Sequence, residues 1–241
     1  MTTVAIAEPL AEDALLLRFG DSIDPQVNAR VHAAAARLRA AKLPDVSDIA
    51  PGYTSLLVRF DPFAWGRACA RGEAPHARLL AEIDPLLRKT ESDRTLRAQA
   101  RVVEIPVCYG GEFGPDMRDI AAHARLDAGE FAARHTAAEY TVAMLGFAPG
   151  FPYLFGLDPT LNAPRRASPR TRVPAGSVAI GGAQTGIYPR ELPGGWQIIG
   201  RTPSMLFDPG CDPPSLLAPG DRVRFRAIDT DEFAALVERA A

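Results

Sequence analysis

One stretch of this chain gathers arginines and aromatic rings where carboxylates are almost missing. Between Thr141 and Phe207 lie Arg165, Arg166, Arg170, Arg172, Arg190 and Arg201, against only Asp158 and Glu191. That is a local excess of about four positive charges in a 241-residue chain of formal net charge -2. Phe147, Phe151, Tyr153, Phe155, Tyr188 and Trp196 are interleaved with many Gly and Pro residues in the same stretch. Large rings are placed where they are buried or where they hold a ligand. Guanidinium groups match carboxylate and phosphate bidentately. The chemistry that fits this pattern is recognition of a small anionic ligand.

Phe147, Phe151, Tyr153 and Trp196 would wall a flat apolar ligand, or else simply pack a core. Gln184 and Tyr188 supply neutral donors for a ligand oxygen. Gly194 and Gly195, just before Trp196, let a backbone approach a ligand closely or make a plain tight turn. His135 is the one histidine beside the stretch, and imidazole is the usual proton-transfer group near neutral pH. A helix C-terminal His favoured by the helix dipole explains it equally well. His32, His76 and His123 fall on predicted helices and read as surface or packing residues.

Several chemistries are excluded. The two lysines, Lys42 and Lys89, follow no G-x-x-x-x-G run, so there is no Walker-type phosphate loop. There is no H-E-x-x-H and no Cys/His cluster, so no built-in metal site is expected. Ser177 sits in AGSVAIGG rather than in a G-x-S-x-G elbow. With so few carboxylates nearby to form an acid/base pair, the chain is expected to supply only part of a catalytic site. The near-neutral charge gives no general nucleic-acid footprint, and no 18-residue apolar run predicts a membrane span. Three widely spaced cysteines and an N-terminus without an export pattern point to the cytoplasm.

The elements that must position these residues fall into two parts. ALLLRF (14–19) reads as a strand. Asp24 and Pro25 then open an amphipathic helix over 25–42, which Pro44 stops. TSLLVRF (54–60) is a second strand and Asp61–Pro62 a second helix start. The helical stretch beyond is punctuated by Gly66, Gly72, Pro75 and Pro85. The alternation predicts a small sheet with helices on one face over 1–90. Residues 91–101 are polar and aperiodic and are expected to form a linker. VVEIPVCY (102–109) opens a second domain, 102–241, with a helix from about Pro115 and another from Asp127 to near His135, the Asp127/Glu130 pair having capping-box spacing. Thirteen of the 22 prolines and twelve of the 20 glycines lie between 141 and 220, favouring short strands in a barrel or sandwich. VRFRAI (223–228) is a late strand and DEFAALVERAA a terminal helix.

GFAPGFPYL (146–154), PRRASPRTRVPAGSVAIGG (164–182), TGIYPRELPGGWQIIGRTP (185–203) and PGDRVRF (219–225) closely resemble the family of the bacterial 5-oxoprolinase B component. EIPVCYGGEFGPDM (104–117) and the spacing from His135 to Tyr140 fit the same pattern. So do FGD (19–21) and YTSLLVRFDP (53–62), more loosely. The family also carries the names allophanate hydrolase subunit 1, carboxyltransferase C/D and sporulation kinase inhibitor. The resemblance implies an α+β protein, a small α+β N-terminal domain followed by a cyclophilin-like β-barrel. It implies the B component of an ATP-dependent 5-oxoprolinase. Its partners would be a homologue of the C component and an amidohydrolase-like A component, with ATP bound by the complex at a shared site. Within the matching motifs, Arg170 is expected to act in catalysis with His135, while Arg172 and Arg201 join the substrate-binding set. Two other roles remain open: a urea carboxylase or allophanate-type component, and a regulator that inhibits a sensor histidine kinase.

Overall fold

The computed structural model describes residues 5–88 and 100–240. The chain divides into two compact units, residues 1–100 and 101–241. The linker expected at 91–101 lies outside the described residues except for Ala100 and Arg101.

The first unit is an antiparallel sheet of β1 (Ile6–Ala11), β2 (Ala14–Arg18), β3 (Val46–Pro51) and β4 (Ser55–Phe60), in the order β1-β2-β4-β3. Three helices accompany it: α1 (Pro25–Ala41), α2 (Pro62–Arg67) and α3 (Pro75–Leu87). Asp24 caps α1 by accepting hydrogen bonds from the backbone N–H groups of Gln26 and Val27. Asp61 does the same for α2 through Phe63 and Ala64. Leu15, Leu17, Leu56 and Val58 of the sheet pack with Val31, Ala35 and Leu38 of α1 and with Leu79 and Ile83 of α3. Pro85 does not break α3 as its type suggested. It falls in the last turn, where its missing N–H forfeits a single bond.

The second unit is built on a closed seven-stranded barrel. Its strands are β5 (Val102–Tyr109), β6 (Glu139–Leu145), β7 (Pro152–Phe155), β9 (Ser177–Gly181), β10 (Gln184–Ile187), β12 (Gln197–Arg201) and β13 (Arg222–Ile228). β8 (Arg170–Val173) and β11 (Leu192–Gly194) form a separate two-stranded ribbon. Helices α4 (Met117–His123), α5 (Ala128–Ala137) and α6 (Thr230–Ala240) complete the unit. Alternation along the strands sorts the side chains. Val178, Ile180, Ile187 and Ile199 join the main barrel core, whereas Ala179, Tyr188 and Ile198 join a second apolar cluster with Phe151, Val173 and Trp196. That second cluster is what the Gly/Pro/Arg-rich stretch is folded around.

Candidate functional site

Two polar clusters flank the strands of the barrel. In the first, Asp116 arrives from the turn between β5 and α4. Its own N–H donates to the carbonyl of Ile198 at 3.1 Å, and one carboxylate oxygen accepts the Ile198 N–H at 2.7 Å. These bonds occupy backbone groups of β12. Gly114 makes the approach feasible, since a Cβ there would lie 2.1 Å from the Ile199 carbonyl oxygen. Only 5% of Asp116 is exposed. Arg170 meets its carboxylate bidentately, with both contacts at 2.8 Å, and Arg166 adds a third guanidinium contact at 3.0 Å. The backbone N–H of Arg166 donates to the Gly195 carbonyl at 2.7 Å, tying the same segment down just before Trp196.

The segment itself is as poor in carboxylates as its composition says, but the fold brings one to it. It is buried, comes from 50 residues upstream of Arg166 in the GGEFGPDM motif, and neutralises part of the arginine charge. Arg170 is thereby fixed as the brace of a buried carboxylate. Its removal would cost stability as well as any ligand contact, so a variant lacking it does not leave the fold untouched.

The other predicted cations are placed differently. Arg172 is 81% exposed on its side chain and only loosely paired with Glu191 at 3.5 Å. The guanidinium of Arg201 stands over the Phe113 ring, 5.5 Å from its centre. Arg165, which carried no expectation of its own, stands 5.8 Å over Trp196.

Phe151, Tyr188 and Trp196 are buried and meet edge to face, with Phe151 5.1 Å from Tyr188 and 5.9 Å from Trp196. Tyr153 closes the group, 4.9 Å from Phe151 and 5.8 Å from Trp196. Three of the expected ligand-wall rings are thus largely spent on one another. Phe147 is the exception: it is 61% exposed, and its φ of 67° is a left-handed conformation costly for a residue with a large side chain. It rims an open groove of about 450 Å³ lined by Leu145 through Gly150 together with Phe207 and Ser215. Gly194 serves Tyr188, whose hydroxyl would lie 2.1 Å from a Cβ at that position, whereas a Cβ at Gly195 meets nothing nearer than 3.5 Å. Gln184 starts β10 opposite Gly181, half-buried.

The second polar cluster is His135. The residue has no exposed surface, and its ring lies against Tyr140 and Phe225, 5.3 and 4.7 Å between centres. Its Nδ1 is 2.7 Å from the Tyr109 hydroxyl and its Nε2 is 3.1 Å from the Thr185 hydroxyl. Thr185 donates to the Ala179 carbonyl at 3.1 Å, so its oxygen receives the Nε2 proton and Nδ1 is left to accept from Tyr109. Burial holds the Tyr109 phenol protonated and pushes the His135 pKa down to about 3. His135 is thus neutral with both nitrogens engaged, and the structure does not bring it together with Arg170. Asp116 is the residue that sequence reasoning missed. Its signal was a carboxylate closing a Gly-rich motif and followed by the apolar Met117.

A closed barrel beside a small α+β unit, with an arginine-clamped carboxylate held against strand β12, defines this as an α+β protein with a cyclophilin-like barrel unit. The chain belongs to the family described as carboxyltransferase domain, subdomain C and D, whose model matches residues 5–217. It is 43% identical over 241 residues to the 5-oxoprolinase B component of Bacillus subtilis (strain 168), covering 100% of both chains. It is 42% identical over 216 residues to the 5-oxoprolinase B component of Escherichia coli O157:H7, covering 90% of this chain and 93% of that one. The crystal structure of TTHA0988 superposes with a TM-score of 0.75 at 38% identity, covering 90% of this chain but only 40% of the longer TTHA0988 chain. Among the described residues no helix is long and apolar enough to cross a membrane.

Proposed function

We propose that this chain is the B component of a cytoplasmic, ATP-dependent 5-oxoprolinase, contributing part of a site completed by a homologue of the C component and served by an amidohydrolase-like A component. The observation that carries the reading is the end-to-end similarity to the 5-oxoprolinase B component, 43% over the full length of both chains. The side chains agree with a shared site. The groove beside Phe147 is open rather than enclosed, and its lining carries no ionisable side chain. The polar groups that could act on a substrate therefore come from the arginine segment and from partners.

Opening a lactam requires activation of its unreactive amide carbonyl, which ATP would supply by phosphorylating the amide oxygen with release of ADP, making phosphate the leaving group. The part left to this chain is to bind and orient. Arg166, Arg172 and Arg201 offer guanidinium donors to carboxylate or phosphate oxygens, and exposed Phe147 offers an apolar face to a five-membered ring.

The test is ADP release by the chain mixed with homologues of the A and C components, with and without 5-oxoproline. Stimulation that needs all three components and yields glutamate is the expected result. A stably assembled mixture that releases no ADP in response to 5-oxoproline would overturn the reading.

A further inference from the structure

The Asp116 cluster holds two guanidinium groups against one carboxylate, which leaves one net positive charge on the trio. A clamp that served packing alone would be complete with Arg170, which already takes both carboxylate oxygens. Arg166 spends a single terminal nitrogen on Asp116, and its other terminal nitrogen meets no acceptor among the described residues. Both side chains reach solvent, Arg166 at 35% and Arg170 at 24% exposure, while the Asp116 side chain beneath them is 7% exposed. The base of the cluster is rigid, because Asp116 is bonded twice to Ile198 of β12 and the Arg166 backbone is bonded to Gly195.

We infer that Asp116 is a positioning residue that presents Arg166 and Arg170 as one half-neutralised pair receiving a single oxyanion, a carboxylate or a phosphate. The inference deepens the proposed function and rests on it for the choice of reactants. Its physical basis is pre-organisation. A guanidinium already fixed by a carboxylate loses little side-chain entropy when an anion arrives, whereas a free surface arginine must be ordered at that moment. Exposed Arg172, with one long contact to Glu191, is the unorganised contrast within the same segment.

The test is calorimetric titration of the full chain, alone and mixed with its C-component homologue, using 5-oxoproline in one arm and inorganic phosphate in the other. Arg166→Gln is the primary variant, because it leaves the bidentate Arg170–Asp116 pair in place. It should weaken one of the two anions at least fivefold with an unchanged melting temperature, and the affected arm identifies the group bound. Asp116→Asn should weaken the same anion further. Arg118→Gln, which removes an equal charge from α4, should leave both arms as in the wild type. Wild-type binding of neither anion, or Arg166→Gln binding both as the wild type does, would overturn the inference. Binding that survives in an assembly without lactam turnover would remove the oxoprolinase reading and leave the anion site standing. Turnover with unperturbed Arg166→Gln would do the reverse.

Discussion

Two of the buried polar groups in the barrel unit solve the same problem in opposite ways. His135 is sealed in the core, uncharged, with one donor and one acceptor matched on each side by Tyr109 and Thr185. Asp116 is buried less completely, and its carboxylate is matched by two cations that keep contact with solvent. Burying a charge is tolerable only with close partners, while burying a neutral imidazole requires only that its two nitrogens find the right complement. The first arrangement makes a rigid interior. The second makes a charged surface feature with a fixed foundation, which a ligand can reach.

The contrast is sharpened most strongly by acid. His135 titrates near 3 in the folded chain, below the ordinary imidazole value of about 6.5. Between those values the unfolded chain takes up a proton that the native one refuses, so stability present above pH 6.5 is lost as pH falls. The slope is about 1.4 kcal/mol per pH unit, approaching ~5 kcal/mol by pH 3. Urea unfolding across this range checks it, and His135→Gln should remove that part of the acid slope whatever its own stability.

Next in size, Asp116→Ala should destabilise by about 3 kcal/mol, the low end for a broken buried pair because both guanidiniums are partly hydrated. Thermal melting reads this, and an unchanged melting temperature would mean that the clamp has no structural role. Tyr109→Phe strips Nδ1 of its donor and should cost about 2 kcal/mol. It should leave anion titrations unchanged, because the His135 network is separate from the Asp116 cluster. Arg172→Ala, at a nearly free side chain, should shift stability by less than about 0.5 kcal/mol.

How much of this was legible in the sequence follows from how local each signal was. The caps at Asp24, Asp61 and Asp127 and the strands around Leu15, Leu57, Val107 and Phe225 were readable, because each depends on neighbours a few residues away. β1 and β3 were not. Ile6–Ala11 carries Pro9 and is mostly exposed at the sheet edge, so it shows no alternation of apolar and polar residues. His135 did carry a clue in its spacing, since Phe131 lies one helical turn earlier and both are fully buried on the same face of α5. A histidine in register with a core phenylalanine is a core residue. The Asp116 clamp is long-range in sequence, and no local pattern announces which arginine a distant carboxylate will meet. What the sequence did mark was the segment, through its excess of arginine.

The seam between β5 and β13 bears on how such a chain is made. The first strand of the barrel unit runs parallel to its last, Val102 beside Arg222 through to Cys108 beside Ile228, while its other neighbour, β12, pairs with it only at Tyr109 and Cys108. As the ribosome delivers the polypeptide, Val102–Tyr109 emerges early and must wait, with most of its hydrogen-bonding edge open, until the final strand is synthesised. The strand pairing of the first unit is complete once Phe60 is made, and its core once α3 follows. The two units therefore mature on different schedules, and a ribosome stalled before Arg222 would hold an open barrel with an unpaired edge, a substrate for chaperones or for aggregation.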